Sequence, residues 1–158
     1  MDREDLLEAI WNEQDKAYEL MNEYDSLPHH YGKYILYQAE AYIIRMIGYY
    51  TDINTTELAD VLKKTPSACS QIVKKLVDKG LVTQIRNNEN KRIYNLRLTS
   101  EGMEVFHDHE RFNKGCQEKT FQKLNKYSEN ELQIYLKVQK SINEAYENDV
   151  MRSKNYYG

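Results

Sequence analysis

The chain has 158 residues, enough for one compact domain with a real core and helical extensions. Charged residues make up 30% of it and mean hydropathy is −0.83, so no apolar run approaches membrane-spanning length, while two Pro and six Gly leave little room for disorder or a turn-rich β fold. The formal net charge is −3, and the acidic opening Met1-Asp-Arg-Glu-Asp5 does not read as a signal or transit sequence, so a cytoplasmic location is expected.

From about Asp5 to Asp25, apolar residues recur at Leu6/Leu7, Ile10/Trp11, Ala17/Tyr18, Met21 and Tyr24, the spacing of an amphipathic helix. Pro28 disfavours helix at Leu27 and ends it. After a loop, a second helix is predicted over Leu36 to Tyr50, with Ala39, Ile43, Ile44, Met46 and Ile47 inward. Asp52 to Thr55 is a short connector, and a third helix runs from Thr55 to Lys63. The fourth, over 66–79, is the best signposted. Thr65 suits the N-cap, Pro66 the first helical position, and Gly80 a left-handed C-terminal cap. Leu81–Ile85 and Ile93–Leu98 alternate like strands about the polar run Arg86–Arg92, which predicts a hairpin. A long helix starts at Thr99-Ser100, with Met103, Phe106, Phe112, Cys116, Thr120 and Leu124 near one face. The capping box Ser128-Glu-Asn-Glu131 opens a last helix. The terminal helices are amphipathic yet far apart in sequence, so they are expected to bury their apolar faces on each other and on a second copy of the chain.

Helix 66–79 should bury Ala68, Ile72, Val73 and Leu76 against Leu58, Ala59 and Leu62, and expose Ser67, Ser70, Gln71, Lys74 and Asp78, with Lys75 at the edge. Residues 63–97 hold nine Lys/Arg against two acids, a net of +7, whereas residues 1–62 sum to −9 and residues 98–158 to −1. Charges are screened beyond about 8 Å at physiological salt, so a polyanion responds to this local patch. Short hydroxyls, an amide and a lysine on one helix face suit base edges: Gln71 pairs with adenine, Lys74 with guanine or a phosphate. The candidate DNA contacts are Thr65, Ser67, Ala68, Ser70, Gln71, Lys74 and Lys75 on the helix, and Arg86, Asn88, Lys91 and Arg92 at the hairpin tip. A solvated helix face is the plainer alternative, and a winged helix used only for protein contacts is another. No phosphate loop, HExxH, Ser-His-Asp order or paired catalytic carboxylates stand out, so an enzyme is not expected.

Thr55-Thr-Glu-Leu-Ala59, Thr65 to Val82 and Leu96-Arg-Leu-Thr-Ser-Glu-Gly102 resemble the winged-helix core of the MarR family of bacterial transcription regulators. The resemblance implies a mainly α fold with a small β-hairpin wing. A winged helix-turn-helix core at 36–99 would be flanked by dimerisation helices at 1–35 and 100–158, within a single domain of residues 1–158. It further implies a homodimer on a double-stranded, pseudo-palindromic operator, usually a repressor, released by a small ligand. The family wing usually places an Asp two residues before an Arg; here Arg92 matches the Arg and Asn90 stands at the Asp.

An effector site has two candidate compositions. A small organic effector would use Trp11, Tyr31, Tyr34, Tyr37, Tyr42, Arg45 and Phe106, from a chain with 14 Tyr. Zinc would use His29, His30, His107 and His109, which lie where the zinc-sensing branch of the family takes ligands, although Tyr42 replaces a His there. His107 and His109 point about 200° apart on a helix, and surface histidines beside acids are the plainer reading. Cys69 and Cys116 form no CxxC pair; each reads as a small buried or half-buried side chain, with oxidation of Cys69 on the DNA-reading helix the redox alternative.

Overall fold

The structure, a computed structural model, describes residues 1–157. Met1–Asn113 form one compact unit, and the chain from Lys114 onward a second. Among the described residues the order is α1 (Arg3–Ser26), β1 (Pro28–Tyr31), β2 (Tyr34–Tyr37), α2 (Gln38–Tyr49), α3 (Thr55–Leu62), α4 (Pro66–Asp78), β3 (Val82–Arg86), β4 (Tyr94–Leu98), α5 (Ser100–Leu124) and α6 (Glu129–Tyr157). The fold is mainly α with a winged helix-turn-helix core. No described helix is long and apolar enough to cross a membrane.

The helix starts follow side-chain chemistry. Asp2 accepts the backbone N–H groups of Glu4 and Asp5 at 2.8 and 3.0 Å, and Asp5 accepts that of Asp2. Thr65 Oγ1 accepts the N–H of Ala68 at 3.2 Å, with Pro66 in the first turn. The Ser128–Glu131 box forms as the sequence predicts, with Ser128 N–H donating to Glu131 Oε2 at 2.8 Å.

The segment predicted as a loop after α1 is instead a hairpin. β1 pairs antiparallel with β2 through Pro28↔Tyr37 and Tyr31↔Tyr34, about a two-residue turn whose first residue, Gly32, has φ +57°. This hairpin takes Leu36 and Tyr37 into a strand, so α2 starts at Gln38. The connector before α3 also pairs: Leu96 N–H donates to Ile53 O at 2.8 Å and Asn54 bridges Asn95, which gives the wing ribbon a third short edge.

Leu36, Ile43, Ile44, Leu58, Val73, Leu76, Leu81, Leu96 and Val105 form the core of the first unit, each almost wholly buried. The inward face of α4 is Cys69, Val73 and Leu76 rather than a stripe containing Ala68, which is half-buried along with Ile72. On α5 the buried residues are Gly102, Val105, Phe106 and His109, while Met103 and Phe112 of the predicted stripe are exposed. The face is chosen by Gly102, where a Cβ would lie 2.0 Å from Leu81 O, so only glycine permits this approach.

Helix α4 ends in a Schellman motif. Leu81 N–H donates to Leu76 O and Gly80 N–H to Val77 O, both at 2.9 Å, with Gly80 at φ +72° and Leu76 and Leu81 buried together. Thr99 closes the same corner: its N–H donates to Leu81 O, its hydroxyl donates to Gly80 O at 2.7 Å and accepts the N–H of Gly102 at 3.0 Å. Gly80→Ala should lower stability by about 1–2 kcal/mol through the left-handed φ alone. Gly102→Ala should cost more, because backbone must move. Urea unfolding midpoints test this order, and wild-type midpoints for both would contradict it.

Candidate nucleic-acid interface

Because Cys69, Val73 and Leu76 face inward, the helical period turns Ser67, Ser70, Gln71, Lys74, Lys75 and Asp78 to solvent, and all six are exposed. Thr65 is exposed as well, although its hydroxyl is engaged in capping; Ala68 lies half-buried behind the exposed face. Burial pushes the Cys69 thiol up, against a weaker pull from Lys64, so it is not an activated thiolate. Cys116 is exposed, unlike its expected placement.

The wing tip is built by asparagines. Asn87 Oδ1 accepts the N–H groups of Glu89 and Asn90 at 2.9 Å, Asn87 Nδ2 donates to Asn95 Oδ1, and Asn90 Oδ1 accepts the N–H of Arg92 at 3.1 Å. Asn90 therefore organises the turn locally where the resemblance led us to expect an Asp paired with Arg92. Arg92 has no acid partner among the described residues, and its side chain, with those of Asn88 and Lys91, is exposed. Arg86 is held back on its strand, donating to Tyr94 Oη at 3.2 Å with its guanidinium 5.7 Å from the Tyr94 ring centroid.

Not all nine cations of 63–97 are available. Arg97 binds Asp52 through two hydrogen bonds, at 2.5 and 2.9 Å, and each partner stabilises the other's charge, holding the Asp52 carboxyl below the usual range. Lys79 pairs with Glu40 at 2.7 Å. The other seven (Lys63, Lys64, Lys74, Lys75, Arg86, Lys91 and Arg92) are exposed without an acid partner among the described residues. Set against Asp78 and Glu89 they leave a net of +5, smaller than the sequence total and concentrated on α4, its entry turn and the wing.

The effector candidates scatter. Trp11, Tyr37 and Tyr42 are exposed, Tyr34 and Arg45 half-buried, Tyr31 and Phe106 buried. Tyr31 and Tyr34 line a cleft of about 240 Å³ with Lys33, Glu104 and Asp108, whereas Tyr37 lines a separate groove of about 550 Å³ beside α4. Arg45 Nε lies 3.1 Å from Glu110 Oε1 without hydrogen-bond alignment, so the contact is coulombic; Glu110 Oε2 accepts from Tyr49 Oη at 2.6 Å. Sequence reasoning missed Glu110 and Tyr49 as Arg45's partners.

The four histidines do not converge either. His30 and His107 are exposed, and His29 Nε2 lies 3.2 Å from Tyr24 O. His109 is 1% exposed, its ring 5.5 Å from that of Tyr31, and Asn113 Nδ2 lies 3.2 Å from its Nδ1. Among the described residues no group of three or more His, Cys, Asp or Glu side chains is placed to hold a metal ion. As placed, the described histidines of the chain do not form a zinc site.

Burial first, then the Arg45 charge, depresses the His109 pKa, against a smaller raising effect of Glu110. The unfolded chain binds the proton more readily than the folded one, so stability is full above the unfolded pKa of about 6.5 and falls as pH drops below it. Thermal unfolding between pH 7.5 and 5 should show this loss, and His109→Gln should reduce it; an unchanged pH dependence in the variant would contradict the assignment.

Comparison with known proteins places this geometry. No curated protein matches the sequence. The zinc-responsive MarR family member ZitR from Lactococcus lactis is 15% identical, with TM-score 0.77 over 89% of this chain and 99% of that one. Streptococcus pneumoniae FabT in complex with DNA is 22% identical, with TM-score 0.68 over 93% and 99%. Wild-type L. lactis ZitR in complex with DNA is 18% identical, with TM-score 0.70 over 85% and 96%. These likenesses establish the fold. Residues 36–94, from the end of β2 through the first residue of β4, match the MarR family itself. The match covers less than half of the chain, the winged helix-turn-helix core, and it is this core that is similar to the MarR family.

Proposed function

We propose that this chain is a DNA-binding transcriptional regulator that works as a homodimer, represses from a pseudo-palindromic operator, and is released by a small effector. The observation that carries the DNA reading is the set of seven exposed cations without acid partners among the described residues, distributed over α4, its entry turn and the wing of an otherwise acidic chain. That arrangement suits an edge-reading helix with a phosphate-gripping ribbon. Ser67, Ser70, Gln71 and Lys74 read base edges or adjacent phosphates, Thr65, Ala68 and Lys75 border them, and Arg86, Asn88, Lys91 and Arg92 follow the flanking backbone or minor groove.

The dimer reading draws on a different feature. α1 buries no residue, yet exposes Leu6, Leu7, Ile10, Trp11, Leu20 and Met21. α6 exposes Ile134, Tyr135, Leu136, Val150 and Met151. Apolar surface on this scale is rarely left to water in a stable monomer and fits a second copy. Two copies would place their α4 helices in successive major grooves about 34 Å apart. The cleft that holds Tyr31 and Tyr34 beside Lys33, Glu104 and Asp108 is the proposed place for an organic effector. Zinc is the second reading, supported by the likeness to zinc-responsive ZitR; its ligands would have to come together in an arrangement other than that of one protomer.

Duplexes selected from a random-sequence pool by the purified protein provide the test. Binding should weaken steeply with salt, and Lys74→Ala or Arg92→Ala should each reduce the salt slope by about one. Gln71→Ala should relax base preference at one position per half-site, by about 1–3 kcal/mol. Failure to select any duplex, or salt-insensitive binding, would overturn the reading.

A further inference from the structure

Lys79 adds to the sequence charge of the DNA-reading segment, but its ammonium is turned away from that task. It lies 2.7 Å from Glu40 Oε1 and 3.4 Å from Ile35 O. Glu40 is 6% exposed, and its other oxygen accepts the backbone N–H of Tyr37 at 2.9 Å, closing the first turn of α2. One buried carboxylate therefore holds the start of α2 and, through Lys79 at the C-cap, the end of α4. Elsewhere α4 is seated by side-chain packing through Cys69, Val73 and Leu76. α4 shares that core with Ile43 and Ile44 of α2, but at its C-terminal end a groove of about 550 Å³ opens beside Tyr37, Ile72 and Lys75, and Glu40 and Lys79 line it. Desolvating a carboxylate offsets much of the attraction in such a pair, so its main effect is on geometry rather than on net stability.

We propose that the Glu40–Lys79 pair sets the tilt of α4, making both side chains positioning residues for sequence-specific DNA binding and removing Lys79 from the phosphate contacts. This rests on the DNA-binding reading above. A phosphate-contacting lysine and a positioning lysine differ in what their partner's removal does. Glu40→Gln frees the ammonium and adds one positive charge, so pure electrostatics would tighten binding to every duplex. Positioning predicts opposite signs: unchanged or tighter binding to poly(dI-dC), and weaker binding to the duplex selected by the wild type.

The experiment measures affinities of the full-length wild type, Glu40→Gln, Lys79→Met and the charge-balanced double variant for both duplexes, with unfolding followed by circular dichroism in parallel. The selected duplex should lose about tenfold in affinity with Glu40→Gln and with the double variant, the two losses being alike rather than multiplicative. For poly(dI-dC) the double variant should match the wild type, and Lys79→Arg should keep most of the specific affinity. Equal weakening of both duplexes by the double variant, or tighter binding of both by the isosteric Glu40→Gln, would overturn the proposal while leaving DNA binding intact. Salt-insensitive binding by the wild type itself would instead remove the DNA reading, and the proposal with it.

Discussion

The corner at Gly80–Leu81 is the constraint on which the geometry of α4 and the wing depends. Leu81 is fully buried, its N–H closes α4, and its carbonyl receives the N–H of Thr99 where the wing returns to α5. Gly102 lies so close to that carbonyl that no side chain fits between them. Helix α4, the wing and the start of α5 therefore meet at one residue, and none can shift without breaking backbone hydrogen bonds in a dry setting. The proposed duplex reading needs helix and ribbon held at a fixed offset, and this corner holds them so.

On that frame, charge is allocated selectively. Two of the nine cations in the segment are committed to structure: Arg97 ties β4 to the turn at Asp52, and Lys79 ties α4 to α2. Asp52 itself sits at φ +64°, an uncommon conformation for a non-glycine residue, with its carboxylate held by the guanidinium. The cations without acid partners cluster on α4, its entry turn and the wing tip. Asn90 shapes the tip through the Arg92 backbone, and among the described residues no acid pairs with the Arg92 guanidinium. An aspartate at that position would set a negative charge two residues from that cation.

The elements that were legible in the sequence are those fixed by local chemistry. Thr65-Pro66, Gly80 and the Ser128–Glu131 box act within a few residues, and each forms as its spacing implies. Exposure of Ser67, Ser70, Gln71 and Lys74 followed from the helical period once the inward face was known approximately. The β1–β2 hairpin was missed because its alternation is only four residues per strand and its turn is Gly32-Lys33, although the aromatic residues around that glycine carried a signal. The inward face of α5 was misjudged because it is set by a tertiary approach at Gly102, not by the largest apolar residues. His109 and Arg45 were read in isolation; Tyr31, Asn113 and Glu110 define their surroundings, and those contacts form only on folding.

Photocrosslinking to the selected duplex carrying 5-bromouracil, followed by mass spectrometry of the attached peptides, tests the central claim most directly. Attachment within residues 65–75 and 86–92 is the predicted result. Attachment confined to α1 or α6, with none on α4 or the wing, would contradict the account.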